Sequence, residues 1–175
     1  MASVGRQLLG CATEVGRLLV RRRLHLRRDL IGAVIVTEDG RRLTVFRESV
    51  SDAAGDGVEV TLLVWFHLRG TTATSRARAW LFERESVLNT VLYAGCPGFA
   101  RKLWLVERST GDYAGIYAWR GPVAADDYGS YITAVLRPLS TPGSVSHRVI
   151  AGPLSGHLRE PPSSTGDERE LVFVG

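Results

Sequence analysis

Four residues with chemical potential fall in one short stretch, KLWLVERSTGDYAGIYAW, residues 102–119. Lys102, Trp104 and Val106 alternate with Leu103 and Leu105. After the polar break Glu107 to Asp112, Gly115, Tyr117 and Trp119 alternate with Ala114, Ile116 and Ala118. Period two on both sides of a Gly-Asp break predicts a β-hairpin. One row is small and aliphatic; the other carries a lysine, two tryptophans and a tyrosine. Lys102 in such a row could bind a substrate oxygen or stabilise an enolate, with Tyr117 assisting. Trp104, Tyr117 and Trp119, with Trp65 from an earlier strand, would form a slot for a flat ligand. Each has a plainer reading beside it. The rings could pack a subunit interface, and the lysine could reach solvent from a strand edge.

His67 and His147 also fall in predicted strands, where either could serve as a general base near neutral pH or simply hold structure. Asn89 and Glu85 lie on a predicted helix, at a cavity mouth or in solvent. Nothing near Cys96 in the sequence would lower its pKa. Asp126-Asp127 reads as a helix-start charge pair. The chain has two cysteines, Cys11 and Cys96, and no CxxC or His/Cys cluster. No metal site and no disulfide framework is therefore expected. No phosphate loop, dinucleotide fingerprint, GxSxG or HExxH occurs.

These groups need a scaffold, and 175 residues suit one domain with appendages. Lys102 is the only lysine; the basic residues are otherwise arginines, read first as a coding bias. The net charge of +4 is local, because residues 1–30 carry +5. That describes a basic arm rather than a basic domain, and nucleic acid is not an expected partner. No apolar run approaches the ~20 residues of a membrane helix; with no disulfide framework, a reducing cytoplasm is the default.

Residues 4–28 have an apolar stripe beside an arginine face and predict a helix. It would dock on the domain, touch a membrane surface or another protein, or act as a transit peptide. Residues 31–48 predict a hairpin turning at Asp39-Gly40. A main strand follows over Val58 to Arg69, with Val60, Leu62, Val64, Phe66 and Leu68 on one face and Trp65 and His67 on the other. Helices are expected over about 76–93 and from Pro122 to Pro138, where Gly121-Pro122 opens the second. Ser144 to Ile150 reads as the last strand. Residues 151–170 are rich in Pro, Ser, Gly and charge and are expected to be mobile. Leu171 to Val174 is a weak edge-strand signal. The division is thus an extension over 1–57, a domain over 58–150 and a tail over 151–175.

The order β-α-β-β-α-β over 58–150 is an α+β, ferredoxin-like unit. The aliphatic rows, including Val60 to Leu68, are expected to meet both helices. Trp65, His67, Lys102, Trp104, Tyr117 and Trp119 are then expected together on the opposite face, pointing away from the helices. A face so apolar would need a cover, which predicts a homodimer.

The segment GFARKLWLVERSTGDYAGIYAWRGPVAADDYGSYI resembles the centre of the dimeric α+β barrel proteins, in particular the YdhR-type, antibiotic-biosynthesis-monooxygenase-like group. The matching features are Gly-Phe before a Lys-x-Trp strand, a turn, Gly-Ile-Tyr-x-Trp, and a helix start with Ala-Ala-x-x-Tyr. The resemblance covers residues 58–150. It implies a dimer enclosing a cavity in each barrel. Some relatives oxidise aromatic polyketides without a cofactor; others degrade haem, cyclise polyketides or isomerise small acids. The haem-degrading branch implies an axial histidine on the second helix and an asparagine on the first strand. Pro122 to Arg137 has no histidine, and Val58 to Arg69 has His67 but no asparagine.

Two classes of function follow. One is a small enzyme of secondary metabolism acting on an aromatic or polyketide-like substrate, as a cofactor-independent monooxygenase, with cyclase or isomerase chemistry as the alternative. Its expected constellation is His67 as base, Lys102 and Tyr117 as anion stabilisers, and Trp65, Trp104, Trp119, Asn89 and His147 around the substrate, with no cofactor. The other is a non-catalytic ligand-binding or dimeric assembly protein.

Overall fold

A computed structural model describes residues 24–52, 55–70, 93, 96–161 and 169–175. The predicted helix over 76–93, apart from Tyr93, and the first twenty residues of the predicted N-terminal helix lie outside them. The last turns of that N-terminal prediction are strand: β1 spans Leu24–Arg27. Its alternating Leu24 and Leu26 pair with β3 rather than continuing a helix.

β2 (Val34–Val36) and β3 (Arg42–Ser51) form the expected hairpin, and Gly40 at φ 80° supplies its left-handed turn residue. β4 (Glu59–His67), β5 (Phe99–Glu107) and β6 (Asp112–Arg120) follow. Helix α1 spans Pro122–Leu136 and β7 spans Ser146–Ala151. Gly121 adopts φ 95° and Pro122 takes the first helical turn, so this boundary forms as its two residue types predict. Three short elements fall among the described residues of the segment expected to be mobile and of the strand signal that follows it: α2 (Leu154–His157), β8 (Leu158–Arg159) and β9 (Glu170–Phe173).

The four strands of the predicted domain lie in the order β7-β4-β6-β5, each antiparallel to its neighbour. That is the ferredoxin-like arrangement, and the α+β class follows from it. The sheet continues from β5 through β3, β2, β9 and β8, with β1 also on β3. β3 is therefore an interior strand between β5 and the β1 and β2 partners. β9 is interior too, because Leu171 and Phe173 point into the core while its backbone pairs with β2 and β8.

Two cores lie on the two sides of this curled sheet. One joins Val60, Leu62, Val64 and Phe66 to Trp104, Tyr117 and Trp119, and to Ala125, Tyr128 and Ile132 of α1. The other joins Leu63, Leu103, Leu105, Ala114, Ile116 and Ala118 to Ile35, Val45, Leu154, Leu171 and Phe173. The curl lays β9 and α2 across the small aliphatic row. Removing that apolar area from water is the main favourable term for both layers.

This corrects the expected face assignment. Across β4 and β6, Trp119 stands opposite Val60 and Tyr117 opposite Leu62, while Ala114 meets Trp65 and Asp112 meets His67. Residues directly opposite share a face. The aromatic rows therefore join the even-numbered aliphatic row of β4 under α1. Trp65 and His67 lie on the other side. Grouping residues by chemical likeness paired the wrong rows, because strand pairing is set by register. The premise for a homodimer also falls away: Trp104, Tyr117 and Trp119 are each at most 4% exposed within one chain.

Candidate functional site

Lys102, Trp104 and Tyr117 line a cavity of about 60 Å³ between the sheet and α1. Phe66, Tyr93 and Tyr128 complete its inner wall, and Leu139, which is largely exposed, marks its outer end. Lys102 is 3% exposed. Its Nζ lies 3.1 Å from the centre of the Trp104 ring, 4.4 Å from that of Tyr93 and 4.6 Å from that of Tyr117. Burial pushes the amine well below its usual pKa, and the positive charge of Arg47 adds to the shift. Burial and the Arg47 charge disfavour the ammonium, while the ring faces around it favour it through cation–π attraction.

The tyrosines remain phenols. Burial raises the pKa of Tyr117, and burial also raises that of Tyr128. The Tyr117 and Tyr128 rings are 5.5 Å apart, edge to face. The Tyr128 hydroxyl is buried without an aligned hydrogen-bond partner, although its neighbour Tyr117 is close enough to couple electrostatically. The Tyr93 hydroxyl donates to Ser49 Oγ at 3.0 Å. The cavity thus offers a weakly basic amine and phenolic donors in an otherwise apolar space.

Glycines make this wall possible. A Cβ on Gly115 would come within 2.8 Å of the Tyr117 ring, so the ring lies flat over the strand only because the site carries no side chain. Trp119 is fully buried. It stacks on Tyr128 at 4.6 Å, and its Nε1 donates to the Pro97 carbonyl at 3.0 Å. It is a wall behind the cavity rather than part of its lining.

The remaining sequence candidates lie elsewhere. His67 Nδ1 is 2.7 Å from Asp112 Oδ1, on the opposite side of the sheet from Lys102. The expected grouping of His67 with Lys102 and Tyr117 is therefore not formed, for the register reason above. Burial works to raise the Asp112 pKa, but His67, Thr110 and the Arg41 charge outweigh it and hold the carboxyl low. Arg41 also bonds Glu107 through Nε at 2.8 Å. Its guanidinium sits 4.5 Å above the Trp65 ring, which puts Trp65 in this charged cluster and not in the aromatic slot. His147 lies between β7 and α1. Its Nδ1 is 3.0 Å from Thr133 Oγ1 and its Nε2 is 3.4 Å from Asp126 Oδ1. Gly129 makes room for it, since a Cβ there would meet the imidazole at 2.4 Å. That is a packing role between helix and strand. Asn89 lies outside the described residues.

Sequence reading missed Tyr93, Tyr128 and Phe66 as lining. Tyr128 carried a signal, its helical spacing with Ala125 and Ile132, but the spacing marked only a buried face. Arg41 and Asp112 sit in or beside turns, where no periodicity points at a partner. Among the described residues no group of three or more metal-ligating side chains occurs, and no helix is long and apolar enough to cross a membrane.

No family model and no curated protein matches the chain. Several solved structures are similar to it. One is a ferredoxin-fold protein related to antibiotic biosynthesis monooxygenases from Listeria monocytogenes, at 17% identity and TM-score 0.44 over 65% of this chain and 66% of that one. Another is SnoaB, a cofactor-independent oxygenase from Streptomyces nogalater, at 26% identity and TM-score 0.40 over 55% of this chain and 94% of that one. A third is LmHde, a haem-degrading enzyme from Listeria monocytogenes, at 15% identity and TM-score 0.47 over 79% of this chain and 93% of that one. The chain spans about two thirds of the length of the first.

Proposed function

We propose that the chain is a cofactor-independent, monooxygenase-like enzyme that deprotonates an aromatic or polyketide-like substrate with the Lys102 amine. The observation that carries this is the burial of the chain's only lysine among the rings of Trp104, Tyr93 and Tyr117 at the floor of a cavity. The resemblance of residues 58–150 supplies the reaction class.

The chemistry needs few groups. The neutral amine takes a proton from a phenol, enol or activated methylene. The ammonium so formed stays against the ring faces and beside the substrate anion, where low dielectric strengthens the attraction. The electron-rich carbon then reduces O₂ to a carbon-bound peroxide. The Lys102 ammonium protonates that peroxide, and the amine so regenerated removes the remaining hydrogen of the same carbon as the O–O bond breaks. A phenolic proton from Tyr128 or Tyr117 leaves with the outer oxygen as water, a carbonyl remains, and the Lys102 ammonium returns its proton to the phenolate. One O₂ is consumed and one water is released per substrate. The burial that raises both tyrosine pKa values keeps those protons in place for this step. Base and acid are thus Lys102 and a tyrosine, with His67 removed from the constellation.

The enclosed volume, about 60 Å³, admits a reacting ring edge or O₂ rather than a whole polycycle. The rest of the substrate would extend past Leu136 and Leu139. The same small volume favours, as a second reading, a non-catalytic ligand-binding protein whose cavity takes one apolar group. Oxygen uptake decides between them. With anthrone as probe, the enzyme reading expects one O₂ consumed per anthraquinone formed, with loss of turnover in Lys102→Met and retention of fold. Binding without oxygen uptake favours the second reading, and uptake unchanged in Lys102→Met removes the proposed base.

A further inference from the structure

A second cavity lies on the other side of the sheet, at the seam where the curled sheet brings β7 near the end of β9. Its volume is about 440 Å³, within the range of small-ligand sites. Leu63, Trp65 and Phe173 form an apolar floor. Ser144, Ser146 and Arg148 form one wall. Across β4 and β7, Arg148 stands opposite Leu63 and Ser146 opposite Trp65, so cation and hydroxyl sit directly beside the floor.

The charges around it are unequal in what they leave open. Arg41 is held by both Glu107 and Asp112. Asp39 accepts the Thr37 hydroxyl and Glu38 accepts the Gly175 backbone N–H. Arg148 differs. Its terminal nitrogen donates to a main-chain oxygen of Gly175 at 2.6 Å, and among the described residues no Asp or Glu side chain pairs with it. A guanidinium has five N–H donors in a fixed fork that matches a carboxylate. One acceptor oxygen therefore leaves most of its capacity unused beside the Ser146 hydroxyl, the Ser144 hydroxyl being spent on the Thr141 carbonyl.

We infer that this seam cavity binds a small carboxylate with an apolar body, the carboxylate on Arg148 with the Ser146 hydroxyl and the body against Leu63, Trp65 and Phe173. The site is separate from the Lys102 cavity, because β4 and β6 stand between them and their side chains there face opposite ways. The Arg41 guanidinium over Trp65 fixes the indole as a flat edge of the floor. The bound acid would stand across the seam and tie β7 to the end of β9.

Benzoate is a fitting probe, with benzamide as its uncharged counterpart, and calorimetric titration of the full chain reads both. Saturable benzoate binding is expected, weakened about tenfold or more in Arg148→Met and in Ser146→Glu, where the added carboxylate repels the ligand. Both positions are exposed on an edge strand, so either variant should keep the fold. Benzamide should bind about tenfold more weakly than benzoate. Lys102→Met should leave benzoate binding unchanged, which separates this site from the proposed catalytic one. The inference is overturned if benzoate shows no saturable binding at millimolar concentration, if either seam variant binds it as well as the parent, if benzamide binds equally, or if Lys102→Met abolishes binding.

Discussion

Lys102 and Trp104 sit two residues apart on one strand, and the lysine nitrogen lies 3.1 Å from the centre of the indole. Side chains at i and i+2 share a face, so the amine folds over its own strand neighbour instead of reaching water. Arg47 stands opposite Trp104 on β3, and its charge works against a second cation here. Burial, with the Arg47 charge beside it, makes the Lys102 ammonium a liability for stability.

The liability predicts a pH dependence. The folded pKa of Lys102 is depressed, whereas the unfolded value is about 10.4. Between the two, the unfolded chain holds a proton that the folded chain has lost, so unfolding free energy rises with pH across that window. Above about 10.4 the penalty is gone; below the folded pKa it is complete. Lys102→Met should remove this rise and be more stable than the parent at neutral pH. Denaturant midpoints measured at several pH values up to the alkaline limit check both. A parent curve flat over the window would contradict it.

Tyr117 depends on the bare backbone at Gly115. Gly115→Ala puts a methyl within 2.8 Å of the ring and should cost about 1–3 kcal/mol by overpacking. Tyr117→Leu alone is destabilising, but in the Gly115→Ala background the clash is relieved, so the two costs should fall short of additive. Simple additivity in a double-mutant cycle would show that the ring does not lean on this glycine.

Glu48 is 0% exposed and sits on β3. Its Oε1 is 2.6 Å from Arg101 on β5, though not aligned as a hydrogen bond, and its Oε2 accepts the Leu30 N–H at 3.2 Å. Arg101→Met strands a buried carboxylate and should cost about 3–5 kcal/mol. Glu48→Gln keeps an acceptor for Leu30 and should cost less. The reverse order in thermal unfolding would mean that the ion pair is not what ties β3 to β5.

Asp112 should mark the acid side of the stability profile. Its folded pKa is lowered, so the stabilisation is present above about 3.9, the unfolded value, and fades as pH falls through the folded pKa. Asp112→Asn should flatten that part of the acid unfolding curve. It should also remove the negative charge that His67 and Arg41 share. An unchanged acid midpoint would argue against it.

The ferredoxin-like unit was readable because each of its described elements carries a local signature. Alternation marks β4, β5 and β6, and Gly121-Pro122 marks the start of α1. The site was half readable. Lys102, Trp104 and Tyr117 do meet, since their rows are neighbours in one hairpin whose turn fixes the register. His67 does not join them, because the pairing of β4 with β6 spans about fifty residues and no short-range signal sets its parity. The Arg41 cluster depends on partners 66 and 71 residues away, and the interior place of β9 on pairing between the ends of the chain. Composition describes those ends as an arm and a tail.

The claim that most needs testing is that Lys102 is a neutral base in its cavity. The chain has one lysine, so protein labelled with ¹³Cε,¹⁵Nζ-lysine gives one side-chain resonance, and a pH titration reads this group alone. A titration midpoint well below the ordinary lysine value, returning to that value when the protein is unfolded in denaturant, is the predicted result. A midpoint at the ordinary value in the folded protein would contradict the account, because an amine charged at working pH cannot accept the proton the mechanism gives it.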